Sequence, residues 1–197
     1  MAKVTVLVEG YARQKGDYYE ATCSTVLIED NYKKIIVDPG CNEAALVKAL
    51  AQKGLGTRDI DYVFLTHFHI DHLLNIRLFQ NKDILDSETL YRQDKEYEYG
   101  KTLPGTKDIT ITKTPGHAHE GATLFVKTEK GIVAVAEDLF WWEDGKQKES
   151  PAKKELLELK DPFAKNKFDL LKSRKLVLKK ADWIIPGHGK MFKVSKE

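Results

Sequence analysis

The stretch Thr66-His67-Phe68-His69-Ile70-Asp71-His72 (THFHIDH, residues 66–72) decides how this chain is read. It follows YVFL at 62–65, an apolar run of the kind found in a strand buried on both faces. Loops at the ends of such strands are where a rigid scaffold presents functional side chains. Alternate residues of an extended segment point the same way, so His67 and His69 can grip one ion. The bend that follows, read as a short helical turn over 73–79, turns Asp71 and His72 in a second direction. Phe68 and Ile70 alternate with these groups and are expected to pack behind them.

The remaining histidines extend the pattern. The chain has six, and none is scattered: His117 and His119 lie in TPGHAHEG (114–121), and His188 lies in PGHG (186–189). Asp138 follows another apolar run, GIVAV at 131–135. Imidazole and carboxylate are ligands that zinc accepts. The same donors suit iron or manganese, so they do not select the ion. A purely structural cluster would leave several imidazoles buried without partners, which is costly.

Around these loops the sequence reads as alternating strands and helices. KVTVLV (3–8) is β-branched and alternating, as a strand requires. Residues 9–23 read as a polar loop carrying Tyr11, Tyr18 and Tyr19. STVLIE (24–29) and KIIV (34–37) form a hairpin around Asp30-Asn31. Asn42 caps a helix over 43–53, with Leu46, Val47 and Leu50 on one face. Short strands are expected at 83–85, 89–91 and 109–112, a hairpin at 122–127 and 131–135, and a last strand at 182–185. Ser150-Pro151 and Asp161-Pro162 read as helix starts, opening helices over 151–159 and 162–180. In the second, Ala164, Phe168, Leu171 and Leu178 fall on one face.

Composition bounds the class. The 197 residues are 42% hydrophobic and 31% charged, which fits a folded soluble chain. At roughly 150 residues per domain, one domain over 1–197 is expected. No apolar run approaches the ~18–20 residues of a membrane span. The N-terminus lacks the apolar core of a signal peptide, which points to the cytoplasm. Cys23 and Cys41 are then expected as free thiols. Net charge is +2, but residues 151–197 carry 13 basic against 6 acidic side chains, leaving 19 against 24 in residues 1–150. A basic segment can contact RNA. Here the interleaved acids and helical spacing favour solvated helix faces.

THFHIDH, TPGH at 114–117, Asp138 after GIVAVAE, and PGHG at 186–189 together resemble the metallo-β-lactamase-fold hydrolase superfamily. The resemblance covers almost the whole chain. It implies a four-layer αββα sandwich of two mixed β-sheets flanked by helices, with a dinuclear site along one edge. It implies two divalent ions, zinc first. His67, His69 and His117 would hold one, Asp71, His72 and His188 the other, and Asp138 would bridge both. Asp38 matches the turn that supports the site from behind the ligands, as ligating histidines generally require. Two departures stand out. Glu137 occupies the position before the bridging Asp, where Gly is usual, and Leu73-Leu74-Asn75 replaces a small Gly-containing stretch.

Two such ions lower the pKa of a bridging water and generate hydroxide near neutral pH. Asp71 would orient it, and His119 is a candidate to protonate the leaving group. The reaction class is hydrolysis, with an ester, lactone or thioester as the first reading. A ribonuclease or phosphodiesterase acting on RNA is the second. A non-catalytic metal-binding protein is the third. Zinc β-lactamases with a Cys ligand need Cys where Asp138 stands, and flavodiiron proteins carry Glu where His69 stands. Trp141 and Trp142, just after Asp138, either wall an apolar substrate pocket or pack under helix 151–159. Tyr11 lies where relatives carry a flap. A small molecule is the expected partner, no membrane is, and oligomeric state is not legible.

Overall fold

A computed structural model describes residues 1–195. Its strands are β1 (Lys3–Val8), β2 (Tyr11–Lys15), β3 (Tyr18–Thr22), β4 (Thr25–Asp30), β5 (Lys33–Val37), β6 (Tyr62–Phe64), β7 (Asp83–Leu85), β8 (Thr89–Arg92), β9 (Lys95–Glu98), β10 (Ile109–Lys113), β11 (Ala122–Thr128), β12 (Gly131–Val135), β13 (Trp183–Ile185) and β14 (Phe192–Lys193). Its α-helices are α1 (Glu43–Gln52), α2 (Ile70–Leu73), α3 (Lys153–Glu158) and α4 (Lys167–Lys180). One sheet has seven strands in the order β1-β4-β5-β6-β7-β8-β9, the other five in the order β10-β11-β12-β13-β14. Both are mixed: β5, β6 and β7 run parallel, as do β12 and β13, and the other pairs are antiparallel.

The alternation of side chains explains the four layers. In β5, Ile35 and Val37 enter the core between the sheets with Val26, Phe64, Leu124 and Val133. Ile36 points the other way, onto Leu46 and Leu50 of α1. In β11, Leu124 and Val126 face the same inter-sheet core, while Phe125 meets Val177 and Leu178 of α4. Each central strand is therefore covered on both faces, which is why it reads as an unbroken apolar run. Burying one such Leu contributes about 1.5–3 kcal/mol. Among the described residues, no helix is long and apolar enough to cross a membrane. Cys23 and Cys41 are both free.

Several expectations need correction. Residues 9–23 are not a loop: β2 and β3 pair from Tyr11↔Thr22 to Lys15↔Tyr18, turning at Gly16. Neither strand carries a clean apolar face, so alternation gave no signal. The β4–β5 turn sits at Asn31-Tyr32, both at positive φ (47° and 67°), one residue later than expected. That is the twist a two-residue hairpin prefers. Val47 of α1 is exposed. The exposed strand β9 and the two-residue β14 had no pattern to find. Helix α3 is shorter than expected. Helix α4 starts at Lys167, where Asn166 accepts hydrogen bonds from the N–H groups of Phe168 and Asp169. Its buried face is Leu170, Ser173, Arg174, Val177 and Leu178, and Phe168 and Leu171 are exposed. Two polar residues on the buried face shifted the apparent apolar stripe.

Candidate metal centre

Four loops and the short helix α2 converge at one end of the two sheets. His67 and His69 lie between β6 and α2, Asp71 and His72 lie in α2, and His117 lies between β10 and β11. Asp138 lies in a single 3-10 turn after β12, and His188 follows β13. Backbone bonds clamp these loops together. The Gly187 N–H donates to the Glu137 carbonyl (2.7 Å), Ser24 N–H to Gly187 (2.6 Å), and Ala122 N–H to Thr66 (3.0 Å). Gly187 is required by close approach: a Cβ there would lie 1.7 Å from Asp138 Oδ1.

The ligand atoms form two groups. Those of His67, His69, His117 and Asp138 lie within 4.8 Å of one another, and so do those of Asp71, His72 and His188. Asp138 stands between them. Its Oδ2 is 3.4 Å from His117 Nε2, 3.9 Å from His67 Nε2 and 3.5 Å from His188 Nε2. Its Oδ1 is 3.4 Å from His72 Nε2. Asp71 Oδ2 is 3.2 Å from His188 Nε2. All seven residues taken from the resemblance come together.

The donor set fits a cation. His67 Nε2, His72 Nε2 and Asp138 Oδ1 are buried and without hydrogen-bond partners among the described residues. Natively buried polar atoms are nearly always satisfied, so orphans pointing at one another mark a place for an ion. The electrostatics agree. Burial, together with neighbouring His72, holds the His67 pKa well below its usual value. Burial and His117 lower that of His69. Both are thus kept neutral, the form that binds metal. Burial opposes ionisation of Asp138, but His188 and His72 more than offset it and hold its carboxyl well below the usual range. Burial likewise opposes charge on His188, yet Asp138 and Asp71 push its pKa up to about 9. A metal cation would take over that role from the proton.

Behind the ligands sits a ring of orienting groups. Asp38 Oδ2 lies 2.9 Å from His72 Nδ1 and accepts from Thr66 Oγ1 (2.6 Å), while Oδ1 accepts from Thr66 N–H (2.8 Å). His188 Nδ1 lies 3.0 Å from the Tyr11 carbonyl. Asp161 Oδ2 lies 2.8 Å from His117 Nδ1. This last contact was not foreseen, because Asp161-Pro162 reads as a helix start. No local pattern marks it, and only the fold brings it to His117. Glu137, at a φ of +42°, is fully buried and accepts from Thr114 Oγ1 (3.0 Å). Its Oε2 lies 3.9 Å from His67 Nδ1. Burial raises its pKa well above the carboxylate range.

The surroundings differ in part from expectation. Phe68 and Ile70 do not pack behind the ligands but are exposed, at 43% and 64%, so they belong to the rim of the site. Trp141 is buried against His188 and Phe163, with ring centroids 6.1 and 5.9 Å away. Trp142 packs on Phe192 in the core beneath Leu156 of α3. Trp141 thus lies beside His188, and Trp142 packs under the helix. Tyr11 is half-buried, and its hydroxyl accepts from Asn42 Nδ2 (3.1 Å). His119 is exposed and makes no hydrogen bond or ion pair among the described residues.

The arrangement has counterparts. Residues 18–87 match the sequence profile of the metallo-beta-lactamase superfamily. Metallo-beta-lactamase domain-containing protein 1 of Xenopus laevis is 33% identical over 202 residues, covering 98% of this chain and 82% of that protein. A solved metallo-beta-lactamase-like protein from Thermotoga maritima shares the fold at a TM-score of 0.70 and 17% identity, covering 98% of this chain and 99% of its own. AidC, a dizinc quorum-quenching lactonase solved with a product, does so at 0.62 and 18%, covering 88% and 75%. With this fold, these histidine-bearing loops and a relative 33% identical that matches this chain over nearly its whole length, the chain belongs to the metallo-β-lactamase superfamily.

Proposed function

We propose that this protein is a dinuclear metal-dependent hydrolase that opens a small ester, lactone or thioester with an apolar body. The observation that carries the dinuclear reading is the Asp138 carboxylate. Four imidazole Nε2 atoms surround it at 3.4–3.9 Å, three on the Oδ2 side and one at Oδ1. A binding module for one ion has no need of a carboxylate so shared. Two divalent ions, zinc foremost and iron or manganese by the same donors, would supply Lewis acidity and lower the pKa of water held between them.

The chain's own residues do the rest. His67, His69 and His117, and on the other side Asp71, His72 and His188, present neutral or ionised donors at fixed positions. Asp38 and Asp161 orient His72 and His117 through their Nδ1 atoms. Asp71 is the more open carboxylate, its side chain 27% exposed against 7% for Asp138. It is therefore the group to orient the attacking water and take its proton. His119 has no partner to fix it, so the leaving group draws its proton from solvent. The apolar body of the substrate rests on Phe68, Ile70 and Phe163, exposed side chains beside the ligand loops. Exposed apolar side chains at that rim suit a small organic substrate with an apolar body.

A paired assay tests this. The zinc-loaded protein is given an alkyl-substituted lactone and a labelled RNA, each with an Asp138→Ala control. Lactone opening that falls at least about 100-fold in the variant, with intact RNA, is expected. RNA cleavage without lactone opening would overturn the substrate reading.

A further inference from the structure

Glu137 carries two costs at once. Its φ of +42° lies in the left-handed region that favours glycine. Its carboxyl is buried, and Oε2 has no hydrogen-bond partner among the described residues. A strained backbone and an unsatisfied buried oxygen both lower stability. Strain of this kind clusters at functional sites, and the surroundings of Glu137 show what it serves.

Three histidine-bearing segments meet Glu137, and Asp138 follows it. Its carbonyl accepts from the N–H of Gly187, the neighbour of His188 (2.7 Å). Its Oε1 accepts from Thr114 Oγ1, at the head of the His117 loop (3.0 Å). Its Oε2 lies 3.9 Å from His67 Nδ1, while His67 Nε2 lies 3.9 Å from Asp138 Oδ2. The ring of His67 thus stands between two consecutive acids. Room for the first acid is made at Gly121, where a Cβ would lie 2.5 Å from Oε1 and 2.6 Å from Oε2.

The hydrogen bonds fix the tautomer of His67. Thr66 Oγ1 gives its one proton to Asp38 Oδ2 (2.6 Å), so toward His67 Nδ1, at 3.2 Å, it can only accept. Nδ1 therefore carries the ring proton, and Nε2 presents the lone pair. Glu137 Oε2, at its longer distance, adds a second oxygen behind the same N–H, which raises the basicity of the ring toward a cation. Thr114 does not depend on Glu137, because its Oγ1 also lies 2.9 Å from Thr123 Oγ1. The carboxyl therefore does more for His67 than for the fold.

We propose that Glu137 is a positioning residue of the metal centre, whose carboxyl backs the Nδ1–H of His67 and ties the His117 loop to the Asp138 turn. This rests on the dinuclear reading above.

Glu137→Leu and Glu137→Gln test it. Leu keeps the bulk and leaves Thr114 bonded to Thr123. Gln keeps the shape, its amide oxygen accepting from His67 and its NH₂ donating to Thr114. Losing an unsatisfied oxygen strands no partner, so the metal-free Tm of Glu137→Leu is expected within about 4 °C of the parent protein or above it. In a chelator competition with zinc, Glu137→Leu is expected to weaken one of two equivalents about 10–100-fold and to leave the other within threefold. Glu137→Gln should restore the first to within about threefold. In the cobalt(II)-loaded proteins, the visible absorption, which reports ligand geometry, should change in Glu137→Leu and match the parent in Glu137→Gln. Unchanged affinity and spectrum in Glu137→Leu would overturn the assignment. A metal-free Tm lowered further than about 4 °C would also overturn it, making Glu137 a packing residue. A parent protein that takes up no metal would instead overturn the dinuclear reading itself.

Discussion

Asp161 acts on the metal centre without touching the place where metal would sit. Its carboxylate holds the His117 ring from behind, at 2.8 Å, and its other oxygen accepts from the Phe163 N–H at 3.0 Å. Such partners fix tautomer and ring orientation, and losing one typically costs about 10–100-fold in metal affinity. Asp161→Ala is expected to show that loss in a competitive chelator titration, with Asp161→Asn recovering most of it. Equal affinity in all three proteins would remove Asp161 from the account. His119 makes the opposite prediction. Exposed and unpartnered, it should be replaceable by Ala with metal content unchanged and turnover within about threefold. A drop of about 100-fold would instead identify it as the leaving-group acid. At this scale the residues of the cluster were legible because HxHxDH, GH, Asp and PGHG stand in loops after apolar strands. Asp161 and Glu137 were not, because an acid's role behind a ligand depends on distances of packing that no local spacing encodes.

Among the elements, α4 matters most for the site. It docks on the loop carrying His117. Ser173 Oγ donates to the Pro115 carbonyl (2.7 Å), and the Asn166 N–H to Gly116 (2.9 Å). Gly116 makes this approach feasible. Its φ is +139°, and a Cβ there would lie 2.2 Å from the Leu170 nitrogen. Gly116→Ala combines backbone strain with a clash against helix backbone, so it should cost about 2–4 kcal/mol in urea unfolding of the metal-free protein. A cost under about 0.5 kcal/mol would show that α4 is not seated as described. Arg174 extends the same docking to the turn after Asp138 through the Leu139 carbonyl. Element type was readable where both faces of a strand, or one face of α1, bury apolar side chains. The start and phase of α4 were not. Its buried face includes Ser173 and Arg174, whose Oγ, Nε and Nη1 atoms donate to backbone carbonyls, and Asp161 serves His117 instead of capping a helix.

Across the whole molecule, the two sheets and their helices supply a scaffold that the ligand loops tie together at one end. That end concentrates buried imidazoles and carboxylates, a donor set suited to cations. Metal should therefore stabilise the fold itself. At a free concentration about a hundred times Kd, binding contributes about 2.7 kcal/mol, or roughly 5–10 °C in Tm for a chain of this size. Chelation followed by calorimetry should show that drop, and re-addition of zinc should reverse it. The most direct test of the central claim is the metal content of the zinc-reconstituted protein beside Asp138→Ala. Two equivalents per chain, falling to one or none in the variant, are predicted. One equivalent that is unchanged in the variant, or none in the parent protein, would contradict a centre built around Asp138.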